Sequence, residues 1–206
     1  MERSEGGNMK KVIGLFLLCI VAIGSVLFAQ ADLDSFPIGR TEMVYNIFTE
    51  EMDEPQLMKL LVVAREDGPF TVRMSTEATG TKEQLSGFGF LFGATSIASG
   101  GGYDISYPSL QALIEQRSRL QEGKEYILPS GGIFTDISRV TIAGVQCLEG
   151  SFVNPDNENM RMTTALALSH PVYISPRIRI EERHDGDWAE TFVMELVEYT
   201  VIEGED

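Results

Sequence analysis

The sequence predicts a mainly β protein: one antiparallel, sheet-rich domain, built as a curved sheet, sandwich or partly open barrel, with a single packed helix. Three observations lead there. Turn signals built from Gly, Pro, Asp and Asn recur about every ten residues, the spacing of antiparallel sandwiches and barrels. Between them the chain alternates apolar and polar residues with the period of two that a half-buried strand requires. The early runs are joined by connections too short for a helical crossover, which excludes a doubly wound nucleotide fold. About nine or ten strands and one helix result.

The chain opens with an export pattern. Lys10-Lys11 precedes an apolar run from Val12 to Ala29, and Ala29-Gln30-Ala31 has the small-x-small form of a cleavage site. Residues 1–30 are therefore read as a signal peptide. The rival reading keeps them as an uncleaved membrane anchor, since about 18 apolar residues can just span a bilayer. Contact with a membrane is expected only through this segment. Residues 31–202 form the single β-rich domain, and 203–206 an acidic tail. Cys19 leaves with the signal, so Cys147 stands alone, without a disulfide partner, as a small buried hydrophobe.

Three strands come first: Thr41–Thr49, Leu57–Arg65 and Phe70–Ala78, joined by Glu50–Pro55 and Glu66–Pro69 as a meander. Gly87–Gly102 follows, with Phe88, Phe90 and Phe92 on one face and glycine on most of the other. This stretch lacks the spacing of a phosphate loop and the Lys-Ser/Thr that closes one. It is read as a strand giving three aromatics to the core, or as an apolar lid. Tyr107–Gln121 is the helix, with Pro108 in its first turn, Leu110, Leu113, Ile114, Arg117 and Leu120 at helical spacing, and Gly123 as its C-cap. Tyr126–Leu128 is a short strand. Ile133–Val153 gives two strands broken near Glu149-Gly150, and Met160–Ser169 alternates cleanly.

The clearest element is the last hairpin. Arg177-Ile178-Arg179-Ile180-Glu181 alternates, and Asp185-Gly186 supplies the positive φ angles of a type I′ turn. Trp188–Ile202 then returns, rich in β-branched and aromatic residues. That loop sets a register with His184 facing Asp187, Arg183 facing Trp188 and Arg179 facing Phe192. Both arginine–aromatic pairs are expected as cation–π contacts on one face. Ile180 against Thr191 and Ile178 against Val193 make the apolar face. Glu181 falls opposite Glu190, an unfavourable pair unless neighbouring arginines screen it.

Charge bounds the partners. The chain carries −15; residues 1–30 hold a net +1, so the exported part carries −16. Such a surface repels phosphate backbones, and nucleic acid is excluded as a partner. No catalytic residues, metal ligands or cofactor site emerge: the two histidines and single exported cysteine have no zinc-binding spacing, and Ser169-His170 are sequence neighbours, which does not by itself make a triad. The expected function is a non-catalytic binding or structural domain of the cell envelope, periplasmic or extracellular. Its ligand would be an apolar small molecule or lipid, held by Phe88, Phe90, Phe92 and Trp188. An alternative is a module for an envelope protein partner, using Arg179, Arg183, Trp188 and Phe192, the residue types that concentrate binding energy. A hydrolase of unknown substrate is the second alternative. A curved antiparallel sheet around one helix, with an aromatic loop at its mouth, resembles in outline the envelope proteins that carry lipid or lipoprotein.

Overall fold

The structure, a computed structural model, describes residues 32–204 except 51–52, 67, 78, 80, 82–106, 130 and 155–156. Its strands are β1 (Gly39–Thr49), β2 (Gln56–Ala64), β3 (Thr71–Glu77), β4 (Tyr126–Ile127), β5 (Ile133–Ile142), β6 (Val145–Asn154), β7 (Asn157–Ala167), β8 (Arg177–His184) and β9 (Asp187–Glu203). A helix α1 (Tyr107–Gln116) precedes β4. All nine strands form one sheet in the order β3-β2-β1-β9-β8-β7-β6-β5-β4, and every neighbouring pair is antiparallel. The fold class is thus a mainly β, antiparallel sheet with one short helix among the described residues. None of the described helices is long and apolar enough to cross a membrane.

Two meanders build this sheet, one running β1 to β3 and the other β4 to β9. They meet where β1 lies along β9, with Gly39 opposite Glu203 and Thr49 opposite Phe192. β5 and β9, with β6, β7 and β8 between them in the sheet, come back into contact, so the sheet is strongly curled. Its buried face follows directly from the alternation. One cross-strand row runs Phe192, Ile180, Met162, Phe152, Phe134, Tyr126 through six strands. The first five are buried, and burying each large apolar side chain contributes about 1.5–3 kcal/mol.

The turns obey local chemistry with one correction. Asp185 (φ 52°) and Gly186 (φ 98°) form the expected two-residue loop, with His184 opposite Asp187. The break expected near Glu149-Gly150 lies instead at Ala143-Gly144, where φ is 47° and 81° and Ile142 faces Val145. Gly150 stays inside β6 for a packing reason: a Cβ there would stand 2.5 Å from Cζ of the fully buried Phe134 ring. It is a close-approach glycine, not a turn glycine.

The helix also ends earlier than its pattern predicts. α1 stops at Gln116, a 3-10 turn covers Arg117–Arg119, and Leu120 is already extended. Tertiary bonds replace the last turn. Gly123, left-handed at φ 67°, donates its N–H to Ile137 O of β5 at 3.0 Å, and Gln121 N–H reaches the Tyr126 hydroxyl at 2.9 Å. Leu113 and Leu120 join the core.

Much of the core's closure comes from the β7–β8 connection, residues 168–176. Val172 and Ile174 are buried within it. The Tyr45 hydroxyl of β1 donates to Ile174 O at 3.0 Å, and burial pushes that phenol far above its ordinary pKa. Tyr199 of β9 donates to Pro171 O at 3.1 Å. Ser175 Oγ sits in the same cluster, within donating distance of two carbonyls, Ala165 O at 2.7 Å and Arg177 O at 2.8 Å, and 3.0 Å from Thr164 Oγ1, whose hydroxyl can donate to it. A loop that carries buried backbone must find such partners, and this one does.

Candidate functional site

Opposite the buried face, the same alternation assembles a charged strip. In β8, Arg177 and Arg179 point away from Ile178 and Ile180, which are buried. β7 contributes Arg161, β6 contributes Glu149, and β9 contributes Glu190 and Glu195. Arg161 grips Glu181 with Nε to Oε2 at 2.6 Å and Nη2 to Oε1 at 2.7 Å. Arg177 holds Glu195 at 3.0 Å through both Nε and Nη2, and Glu149 at 2.8 Å through Nη1. Arg179 Nε lies 2.8 Å from Glu190 Oε1 as an ion pair, although its N–H is not aligned for a hydrogen bond.

This lattice answers the Glu181–Glu190 conflict. The two carboxylates do face each other, and each carries its own guanidinium. The hydrogen bonds from Arg161 hold the Glu181 carboxyl below the usual glutamate range, against a smaller opposing effect of burial. Both Arg161 and Arg177 are in turn held above the ordinary arginine value, chiefly by their bonds to Glu181 and Glu195. The strip therefore stays charged, and its bidentate geometry is fixed.

Trp188 lies on it. Arg161 Cζ sits 4.6 Å from the indole centroid and Arg183 Cζ 5.9 Å. Sequence reasoning found Arg183, the cross-strand neighbour. It missed Arg161, which arrives from β7 and leaves no local signal beside Trp188. The arrangement presents a half-exposed indole with two guanidinium groups within cation–π distance of its ring.

Phe192 does not belong to this strip. A bulge between Ile180 and Glu181 shifts the register, so Arg179 faces Val193 while Phe192 faces Ile180 and is buried. The expected Arg179–Phe192 contact is thereby replaced by a core contact, and Ile178 faces Met194 rather than Val193. Phe88, Phe90 and Phe92 lie outside the described residues.

A second feature stands at the β3 edge. Val72 faces Val62 and Met74 faces Leu60, which places both on the core side of the sheet. Val62 and Leu60 are 1% exposed, whereas Val72 is 38% and Met74 54% exposed. The apolar face thus continues past its cover. The row Val72, Val62, Thr41 also holds the buried hydroxyl Thr41 Oγ1, which has no hydrogen-bond partner among the described residues. An unsatisfied buried hydroxyl costs about 1–3 kcal/mol.

The remaining candidates for chemistry are local. Ser169 Oγ lies 2.7 Å from His170 Nδ1 and accepts the Gln146 N–H at 3.0 Å, while the imidazole rests 5.3 Å from the Tyr199 ring. Ser169 here ties β6 to the end of β7. The Cys147 thiol is buried, pushed up to about 12 mainly by desolvation, and donates to Val145 O at 3.4 Å. Among the described residues, no group of three or more His, Cys, Asp or Glu side chains is placed to hold a metal ion. No protein-family model matches the chain, and no curated protein matches it either.

Proposed function

We propose that the chain is an exported, non-catalytic binding domain of the cell envelope that takes an apolar or amphiphilic ligand on the core-side face of its curled sheet. The observation that carries this is the exposed continuation of that face over Val72 and Met74. Exposed apolar side chains continuous with the buried face support reading this edge as a binding surface. Export rests on the Lys10-Lys11 and Val12–Ala29 pattern.

Native mass spectrometry of the chain recovered from an exporting bacterial host tests this reading. The expected result is a chain cut after Ala29 or Ala31 that carries lipid-sized adducts. Replacing Val72 and Met74 together by Ser should remove the adducts and leave a cooperative melt. A cut but bare chain would overturn ligand binding. A second reading, a module for an envelope protein partner, draws on Trp188 held half-exposed on the strip beside Arg161 and Arg183. In that case Trp188→Ala should weaken recovery of the partner while leaving any adduct unchanged.

A further inference from the structure

The strand that borders the exposed apolar face also ends the sheet. β3 is the terminal strand at one side, and among the described residues nothing pairs with its outer edge. All seven of its residues are exposed. An edge of that length presents a row of unpaired N–H and C=O groups, which proteins usually blunt with lysine, proline, a bulge or shortening. β3, Thr71-Val72-Arg73-Met74-Ser75-Thr76-Glu77, contains no lysine or proline and pairs with β2 without a bulge. The opposite edge, β4, is blunted by length, with only Tyr126 and Ile127.

We propose that β3 pairs with β3 of a second copy of this chain, antiparallel about a two-fold axis through Ser75, to form a dimer with one continuous sheet. The charges choose this register. With Ser75 on the axis, Arg73 stands opposite Glu77 of the second copy, and the symmetric contact repeats it. Centring on Met74 would instead leave Arg73 opposite Ser75, and centring on Arg73 would set two like charges face to face. Opposite charges directly across a ladder are favourable and like charges are not. A two-fold perpendicular to the sheet also keeps Val72 and Met74 of both copies on the same side, so the apolar face runs through the junction. An isologous contact of this kind closes on itself and does not propagate into fibres. This inference is independent of ligand binding, since it uses the strand's edge and not its face.

The test is sedimentation equilibrium at physiological salt, which screens the repulsion between two acidic molecules. The chain purified from an exporting host is expected to show twice its monomer mass at micromolar concentration. Arg73→Glu should weaken the dimer at least about tenfold, because it opposes two pairs of like charges. The double change Arg73→Glu with Glu77→Arg should restore it. Both positions are exposed, so a cooperative thermal melt confirms that the variants fold, with a midpoint that falls only as far as the lost association requires. A monomer at every concentration, a dimer indifferent to Arg73→Glu, or a double variant that stays dissociated would each overturn the proposal.

Discussion

Glu181 shows how one residue ties stability to pH. Its carboxyl is 12% exposed and takes two hydrogen bonds from Arg161, with Arg179 nearby and Glu190 across the ladder. Its native pKa is lowered, so its stabilisation is fully present above the unfolded-state value, near about 4.3, and is lost as pH falls through the lower native value. The difference in melting temperature between the wild type and Glu181→Gln should therefore shrink as the pH drops below about 4. A constant difference down to strong acid would mean that the pair does not depend on ionised Glu181. Arg161→Leu at neutral pH should cost about 1–3 kcal/mol, read from chemical denaturation, because a largely buried carboxylate loses its charged donors. Thr41 gives the opposite sign. Thr41→Val keeps the shape and removes the unsatisfied hydroxyl, so the melting temperature should rise. A fall would show that the hydroxyl has a partner in solution.

Among the elements, the hairpins divide by how local their causes are. The Asp185-Gly186 turn was legible because both residues that set it lie within the turn. The β8–β9 register above it was not, since the Ile180/Glu181 bulge arises where β7, β8 and β9 meet. That one-residue slip moved Phe192 from the predicted arginine face into the core, while Arg183 and Trp188, below the bulge, stayed paired. The β5–β6 turn was missed because Ala143 has no turn signature and Gly150 suggested one elsewhere. Ala143 nevertheless holds φ 47°, a conformation costly for a residue with a Cβ. Ala143→Asn should therefore stabilise the protein by about 0.5–1 kcal/mol, a rise in melting temperature of about 1–4 °C. The 168–176 connection was illegible for another reason. Val172 and Ile174 are too few to show a period, and their importance comes from Tyr45 and Tyr199, which lie far away in sequence.

At the scale of the whole molecule, the sheet's stability should fall from its middle toward the β3 side. β9 runs seventeen residues between β1 and β8, while β3 has β2 as its neighbour and no buried side chain. Backbone amides of β9 are expected to exchange with solvent most slowly, near the global unfolding limit, and those of β3 much faster. Exchange in a dilute sample and in a concentrated one should differ at β3 alone if that edge pairs. The β1–β9 seam has one more consequence, for the order in which the chain can fold. The inner neighbour of β1 is β9, the last of the described strands along the chain, so the β1–β3 meander is left with an open side until β9 has emerged. Contacts this distant in sequence form slowly. The β1–β3 meander thus waits for a strand made more than a hundred residues later before its inner side is paired.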